Sequence, residues 1–107
     1  MFYALLTNTD AHFKMVYRNP KLIKLLRELP CQSCGVHSET VCAAHRNEGK
    51  GMGLKVSDAL IASMCASCHF ELDNGKSLTK EERRAMWNRA YIGTMQYLLE
   101  HDMIGVK

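Results

Sequence analysis

Residues 31–34 read CQSC and residues 65–73 read CASCHFELD, and these two stretches decide the fold of the 107-residue chain. Each begins with a Cys-x-x-Cys pair, and the four thiols belong to Cys31, Cys34, Cys65 and Cys68. Two such pairs are the usual ligand set of a closed, structural zinc site, whereas a thioredoxin-like redox site would need a single pair in a βαβ setting. The sequence therefore predicts one structural Zn²⁺ bound by the four cysteines.

His69 and Asp73 follow the second pair directly and are four residues apart. On a helix, this spacing places both side chains on one face. One imidazole nitrogen and one carboxylate oxygen leave several coordination positions for water and phosphate, as a Lewis-acid site requires. We therefore predict a catalytic divalent cation here, Mg²⁺ or another. The alternative is that His69 hydrogen-bonds near the zinc site while Asp73 is a solvated residue at the helix end.

His45 and Asp58 are the candidate catalytic residues. His45 ends a short apolar run, and a histidine in this position can accept a proton from water as the water attacks a phosphodiester. A lone histidine is more often structural, so the prediction depends on the cysteine pairs and on His69 with Asp73. Asp58 could orient His45, and a turn-forming aspartate is the equally plausible alternative.

Basic residues are concentrated in the first half of the chain. Residues 1–57 contain eight Lys or Arg and four Asp or Glu, against six and seven in the remainder. This bias is compatible with DNA as a partner, although a solvated face has the same composition. The glycine-rich segment 49–55 would let the backbone approach a phosphate, and a flexible hairpin is the alternative. The candidate DNA contacts are Arg46, Lys50 and Lys55.

Helix signals flank the cysteine-rich region. Asn19-Pro20 is typical of an N-cap followed by a first-turn proline, and Pro30 ends the predicted helix. Thr79 with Glu82 is a capping box, which predicts a long helix over residues 79–103. The buried stripe of this helix is predicted to contain Trp87, Ala90, Tyr91, Thr94, Met95 and Leu98.

Between these helices, the apolar runs 41–45 and 59–64 predict two short strands, and residues 67–74 predict a short helix that ends at Gly75. The predicted fold class is α+β, with a zinc-stabilised ββα-metal core over residues 31–75 between an N-terminal helix and a long C-terminal helix. Residues 1–18 are predicted to be an N-terminal arm. The length fits a single domain, 1–107, whose modest core would need a structural metal. Cys42, the odd thiol, is expected in that core.

No apolar run reaches membrane-spanning length, and the first residues lack the basic region and cleavage site of a signal peptide. We therefore expect a cytoplasmic protein with reduced cysteines and no membrane partner. The net charge of +3 does not by itself identify a partner.

Three stretches together carry a family resemblance: AAHRN at 43–47, GKGMGLKVSD at 49–58 and CASCHFELD at 65–73. They resemble the small HNH-type nucleases of phages and prophages. The similarity extends over about residues 20–100 and includes the helix start TKEERRAMW at 79–87. It implies a His-Me finger fold, in which the four cysteines form a zinc ribbon round the active site.

The resemblance also implies residue roles. His45 would be the water-activating base, His69 and Asp73 the metal ligands, and Asp58 would stand where HNH enzymes often carry the middle asparagine. The implied reaction is metal-dependent hydrolysis of DNA phosphodiesters, which leaves 5′-phosphate and 3′-hydroxyl ends. One departure concerns Ala44, because many HNH enzymes have a metal-binding Asp or His immediately before the base.

The leading hypothesis is therefore an HNH endonuclease, phage or prophage encoded, acting in the bacterial cytoplasm. A non-catalytic zinc-binding adaptor for DNA or protein on the same scaffold is the alternative. A redox or metal-storage protein fits the paired cysteines and the glycine-rich segment less well. The sequence leaves open whether the protein forms a homodimer and whether a phage or host protein directs cleavage.

Overall fold

A computed structural model describes residues 17–46, 56–75 and 77–106. The described chain forms a small mixed α/β domain, in which three helices surround a two-stranded sheet. In chain order the elements are α1 (Pro20–Leu26), β1 (Cys42–His45), β2 (Ile61–Met64), α2 (Ala66–Asn74) and α3 (Lys80–Glu100). Nearly all of the predicted N-terminal arm, 1–18, lies outside the described residues.

Helix α1 begins as the sequence predicts. The Asn19 side chain accepts a hydrogen bond from the N–H of Leu22 at 3.1 Å, and Pro20 occupies the first turn. The side chains of Leu26 and Leu29 are completely buried, so this short helix and the turn after it are anchored in the core. Pro30 then leads the chain into the first cysteine pair.

The two strands form an antiparallel hairpin in which Cys42 pairs with Met64 and His45 with Ile61. Successive side chains on a strand point to opposite faces. Ala44 lies on one face and packs in an apolar cluster that includes Leu72 of α2 and Trp87 of α3. The other face packs against α1 and the end of α3 through the residues Ala43, Ile61, Leu26, Leu29 and Leu98.

Helix α3 covers the hairpin with most of the predicted stripe, but Tyr91 and Met95 are only partly buried. The capping box at its start is complete, because Thr79 and Glu82 each accept a hydrogen bond from the other's backbone N–H. The buried residues of the helix are Trp87, Ala90, Thr94 and Leu98. Two hydrogen bonds fix its position: Trp87 Nε1 donates to the Ala44 carbonyl at 2.9 Å, and the Ser63 N–H donates to Thr94 Oγ1 at 2.9 Å.

The end of α3 corrects the predicted boundary at residue 103. The helix ends at Glu100 because Asp102 adopts a positive φ of 55°. The N–H groups of Asp102 and Met103 then donate to the carbonyls of Leu99 and Leu98, the bonding pattern of a Schellman motif. An aspartate in the left-handed region is the stop signal, where a glycine would have been easier to recognise.

Across the described ranges, no helix is both long enough and apolar enough to cross a membrane.

The orientation of α3 can be tested with Leu98 and Leu99, two neighbours that differ in burial. Leu98 is buried and Leu99 is 54% exposed. We expect Leu98→Ala to lower the free energy of unfolding by about 3 kcal/mol, because it leaves a cavity in the core. Leu99→Ala, the matched control, should change it by less than about 0.5 kcal/mol. Urea unfolding followed by circular dichroism measures both, and equal losses would contradict this orientation.

Candidate functional site

The four predicted zinc ligands converge in space. Their sulfur atoms all lie within 4.8 Å of one another, and they belong to Cys31, Cys34, Cys65 and Cys68. The sulfurs of Cys34 and Cys65 are 3.7 Å apart. Tetrahedral zinc with its usual bonds to sulfur requires roughly 3.8 Å between sulfurs. The cluster could therefore hold a zinc ion. Within the described ranges, no other group of three or more candidate ligands lies this close together.

The backbone around Cys31 forms a tight knuckle that aims its sulfur into the cluster. Gly35 has a φ of +85°, a conformation that L side chains rarely adopt. The Cys31 N–H donates to the Val36 carbonyl at 2.7 Å, which closes the turn. The N–H groups of Ser33 and Cys34 both point at the Cys31 sulfur at 3.4 Å. Gly35 thus lets the chain turn tightly enough after the first cysteine pair to close this knuckle.

The second cysteine pair is positioned by a helix start. Cys65 is the N-cap of α2 and Cys68 lies in its first turn. The N-terminus of a helix favours negative charge, which suits two thiolates. A backbone hydrogen bond of 2.9 Å from the Gln32 N–H to the Ser63 carbonyl joins the two pairs. The cluster thus ties the end of α1 to the junction of β2 and α2.

The thiols differ in how readily they ionise. Burial disfavours the Cys31 thiolate, but backbone N–H groups of Cys34, Cys65 and Ser33 outweigh it and lower the Cys31 pKa to about 6. Burial, together with the neighbouring thiols, raises the pKa of Cys68 to about 12. Four adjacent thiolates repel one another, so a divalent cation is the partner that would allow all of them to ionise.

His45 and Asp58 form a second, separate cluster. Nε2 of His45 is 2.8 Å from Oδ1 of Asp58, and Asp58 is only 4% exposed. Arg18 donates to the same carboxylate at 3.0 Å, and the backbone N–H of Asn19 donates at 2.8 Å. Burial would raise the Asp58 pKa, but the hydrogen bonds from His45, Asn19 and Arg18 outweigh it and lower the pKa. Asp58 is therefore an ionised, fixed partner of His45.

His69 and Asp73 also contact each other, and His69 contacts a thiol as well. Nε2 of His69 is 3.1 Å from Oδ2 of Asp73, as the spacing predicts for one helix face. Nδ1 of His69 is 3.4 Å from the sulfur of Cys42. Cys42 is only partly buried, so the expectation that it belongs to the core is corrected. It faces His69 across the boundary between β1 and α2.

The hairpin separates the two histidine clusters. Cys42 and His45 are three residues apart on β1, so their side chains point to opposite faces. Cys42 contacts α2 through His69, whereas His45 contacts the residues at the start of α1 through Asp58. The structure therefore brings the predicted catalytic residues together as two pairs, one on each face.

The predicted DNA contacts are only partly described. Arg46 follows β1 directly, and its backbone N–H donates to the Leu60 carbonyl at 3.0 Å. Lys50 and Lys55, with the glycine-rich segment 49–55, lie outside the described residues. Their proposed contact with phosphate stays a prediction.

Arg18 and the Asn19 N–H are the site groups that sequence reasoning missed. Both precede α1, about forty residues from Asp58, and no local pattern links them to it. A buried carboxylate needs donors, but the burial of Asp58 is seen only in the structure. The contact between Cys42 and His69 was missed for the same reason.

Comparisons with known proteins bear on the fold. The chain matches no protein-family profile, and a search of curated proteins finds no match. Among solved structures, it is similar to one described as "a putative bacteriophage protein from Escherichia coli str. K-12 substr. MG1655", with a TM-score of 0.58 and 20% identity. The similarity covers 76% of this chain and 99% of that chain. At this identity the likeness concerns the fold alone.

The zinc site can be tested by making the same change, cysteine to serine, at one predicted ligand and at one cysteine outside the cluster. After dialysis against a weak chelator, the wild-type protein should retain about one zinc per chain by elemental analysis. Cys34→Ser should lose it and be largely unfolded, because roughly 10 kcal/mol of zinc-binding free energy equals the stability of a typical domain. Cys42→Ser should keep the zinc and the fold. Folded wild-type protein without zinc would refute the assignment.

Proposed function

We propose that this protein is a metal-dependent HNH-type endonuclease that hydrolyses DNA phosphodiester bonds. The observation that carries the proposal is the His45–Asp58 pair, a partly exposed histidine held by a buried carboxylate at the end of the first strand of a ββα arrangement. The similarity to a protein described as a bacteriophage protein supports a phage or prophage origin. The resemblance of residues 43–47, 49–58 and 65–73 to HNH nucleases supplies the reaction.

The contact with Asp58 determines which nitrogen of His45 would act as the base. Asp58 is ionised, so it can only accept a hydrogen bond, and the group facing it must be Nε2–H. The other nitrogen, Nδ1, then carries the lone pair and can take a proton from the attacking water. Arg18 and the Asn19 N–H keep Asp58 in place and charged. The buried carboxylate therefore acts through His45 by fixing its tautomer.

His69 and Asp73 are the residues that would bind the catalytic cation in this proposal. Their facing atoms are 3.1 Å apart, a separation that suits two adjacent ligands of one ion as well as a hydrogen bond. When bound, such a cation supplies charge stabilisation for the leaving 3′-oxygen. The side chains are 31% and 37% exposed, so phosphate could reach them. Arg46, Lys50 and Lys55 would contribute phosphate contacts outside this pair.

A non-catalytic zinc-binding adaptor is the second candidate, and one observation favours it. His45 and the His69–Asp73 pair lie on opposite faces of the hairpin, whereas a base and a cation that act on one phosphate must be close to each other. Ala44, immediately before His45, provides no ligand on the face that packs against α2 and α3. An adaptor would use the zinc-stabilised domain and its basic residues without either pair reacting.

Cleavage of supercoiled plasmid DNA in Mg²⁺, Mn²⁺ or Ni²⁺ separates the two candidates. A nuclease should nick DNA in at least one of these metals, and His45→Ala should lower the rate by about 10²- to 10⁴-fold because the base is lost. Asp58→Leu should also lower it, since the tautomer is no longer fixed. Asp58→Asn should retain more activity, because its amide oxygen can still accept from Nε2–H.

His37→Ala is the matched control for these variants. His37 is exposed and lies outside both histidine clusters, so its loss should leave the cleavage rate unchanged. If wild type and His45→Ala nick DNA equally at background level in every metal, the enzyme proposal fails. Binding of the same DNA without cleavage would then support the adaptor.

A further inference from the structure

The sulfur of Cys42 and Nδ1 of His69 face each other across the boundary between β1 and α2. They are 3.4 Å apart. With the usual zinc–sulfur and zinc–nitrogen bond lengths, two tetrahedral ligands of one ion are roughly 3.5 Å apart. The separation therefore fits joint binding of a metal ion as well as it fits a thiol–imidazole hydrogen bond.

Asp73 lies on the other side of the His69 ring. Its Oδ2 is 3.1 Å from Nε2, the nitrogen that points away from Cys42. A metal-binding histidine commonly donates its second N–H to a carboxylate, which fixes the tautomer and strengthens the metal bond. The three groups therefore lie in the order expected of two metal ligands, Cys42 and His69, with Asp73 as the carboxylate that supports the second.

We infer that Cys42 and His69 form a second metal site, separate from the four-cysteine cluster, for Zn²⁺ or a similar divalent cation such as Co²⁺ or Ni²⁺. Asp73 is the hydrogen-bond partner of the His69 ligand in this site. Thiolate and imidazole favour these ions over Mg²⁺, which prefers oxygen ligands. When the ion binds, the Cys42 proton is released to solvent and water fills the remaining positions. This assignment replaces the catalytic cation of the proposed function at His69 and Asp73, because Nε2 of His69 cannot donate to Asp73 and bind that cation at the same time. It is tested without reference to DNA cleavage.

The strand geometry explains why the ligand would come from Cys42. Residues 42 and 44 point to the same face of β1, because they are two apart. Ala44 is fully buried and carries no ligating atom. Cys42, two residues earlier, is partly exposed and reaches His69. The assignment differs from the sequence prediction in making Asp73 a supporting group and the cation a softer one than Mg²⁺.

Cobalt binding tests the site without reference to DNA. The full-length protein, first loaded with one equivalent of Zn²⁺, is titrated with Co²⁺ while near-ultraviolet absorption records sulfur-to-cobalt charge transfer. Wild type should bind one further equivalent with this absorption. Cys42→Ser should lose the absorption and bind at least about tenfold more weakly. Asp73→Asn should bind about 10- to 100-fold more weakly and show the absorption at saturation.

Zinc content measured on the same samples shows that the four-cysteine cluster stays filled and the variants stay folded. His37→Ala is the control for binding to an exposed histidine, and it should behave as wild type. The inference fails if wild type binds no further cobalt, or if Cys42→Ser binds it as wild type does. A loss confined to His69→Ala and Asp73→Asn would instead assign the ion to those two residues. DNA cleavage enters none of these readouts, so an inactive protein could still bind the second ion.

Discussion

The cluster of four thiols joins the end of α1 to the junction of β2 and α2. Cys31 follows α1, and Cys65 begins α2 directly after β2. One ion bound by all four sulfurs would close a loop that contains the whole hairpin, and it would bind only when that loop is folded. Hydrogen bonds extend this constraint, since the Gln32 N–H donates to the Ser63 carbonyl and the Ser63 N–H donates to Thr94 of α3. The two apolar clusters pack the helices against the two faces of the sheet.

Packing also accounts for the absence of a ligating side chain at position 44. Ala44 is fully buried beside Ala62 and Trp87, and its carbonyl accepts the indole N–H of Trp87. A carboxylate or imidazole at this position would have to leave water and would enter an apolar cluster that provides no matching charge. The alanine is thus a consequence of how α3 lies on the hairpin. A ligand on this face has to come from the partly exposed end of the strand.

Local signals in the sequence predicted most of the elements. Each of these signals depends on residues within a few positions of one another. They are the Asn19-Pro20 start, the Thr79 capping box and the apolar runs that alternate with glycine. The convergence of the cysteines was also predictable, because ligand type and spacing restrict their geometry. The contacts of Asp58 with Arg18 and of Cys42 with His69 were not predictable. They depend on which faces of the hairpin α1 and α2 cover, and such tertiary information is absent from local patterns.

Because His45 and His69 lie on opposite faces of the hairpin, they could act on one phosphate only under a geometric condition. A strand advances about 3.3 Å per residue, so Cys42 and His45 are separated by roughly 10 Å along β1 in addition to pointing in opposite directions. A water-activating base and a cation that stabilises the leaving oxygen must both contact one phosphate, which spans only a few ångströms. His45 is the last residue of β1, at the end of the hairpin where the chain leaves the sheet. Joint action therefore requires DNA to lie across that end, and an ion held by Cys42 and His69 would lie too far along the strand to share a phosphate with His45. In that case the His45–Asp58 pair and the thiol–imidazole pair would be independent sites on one scaffold.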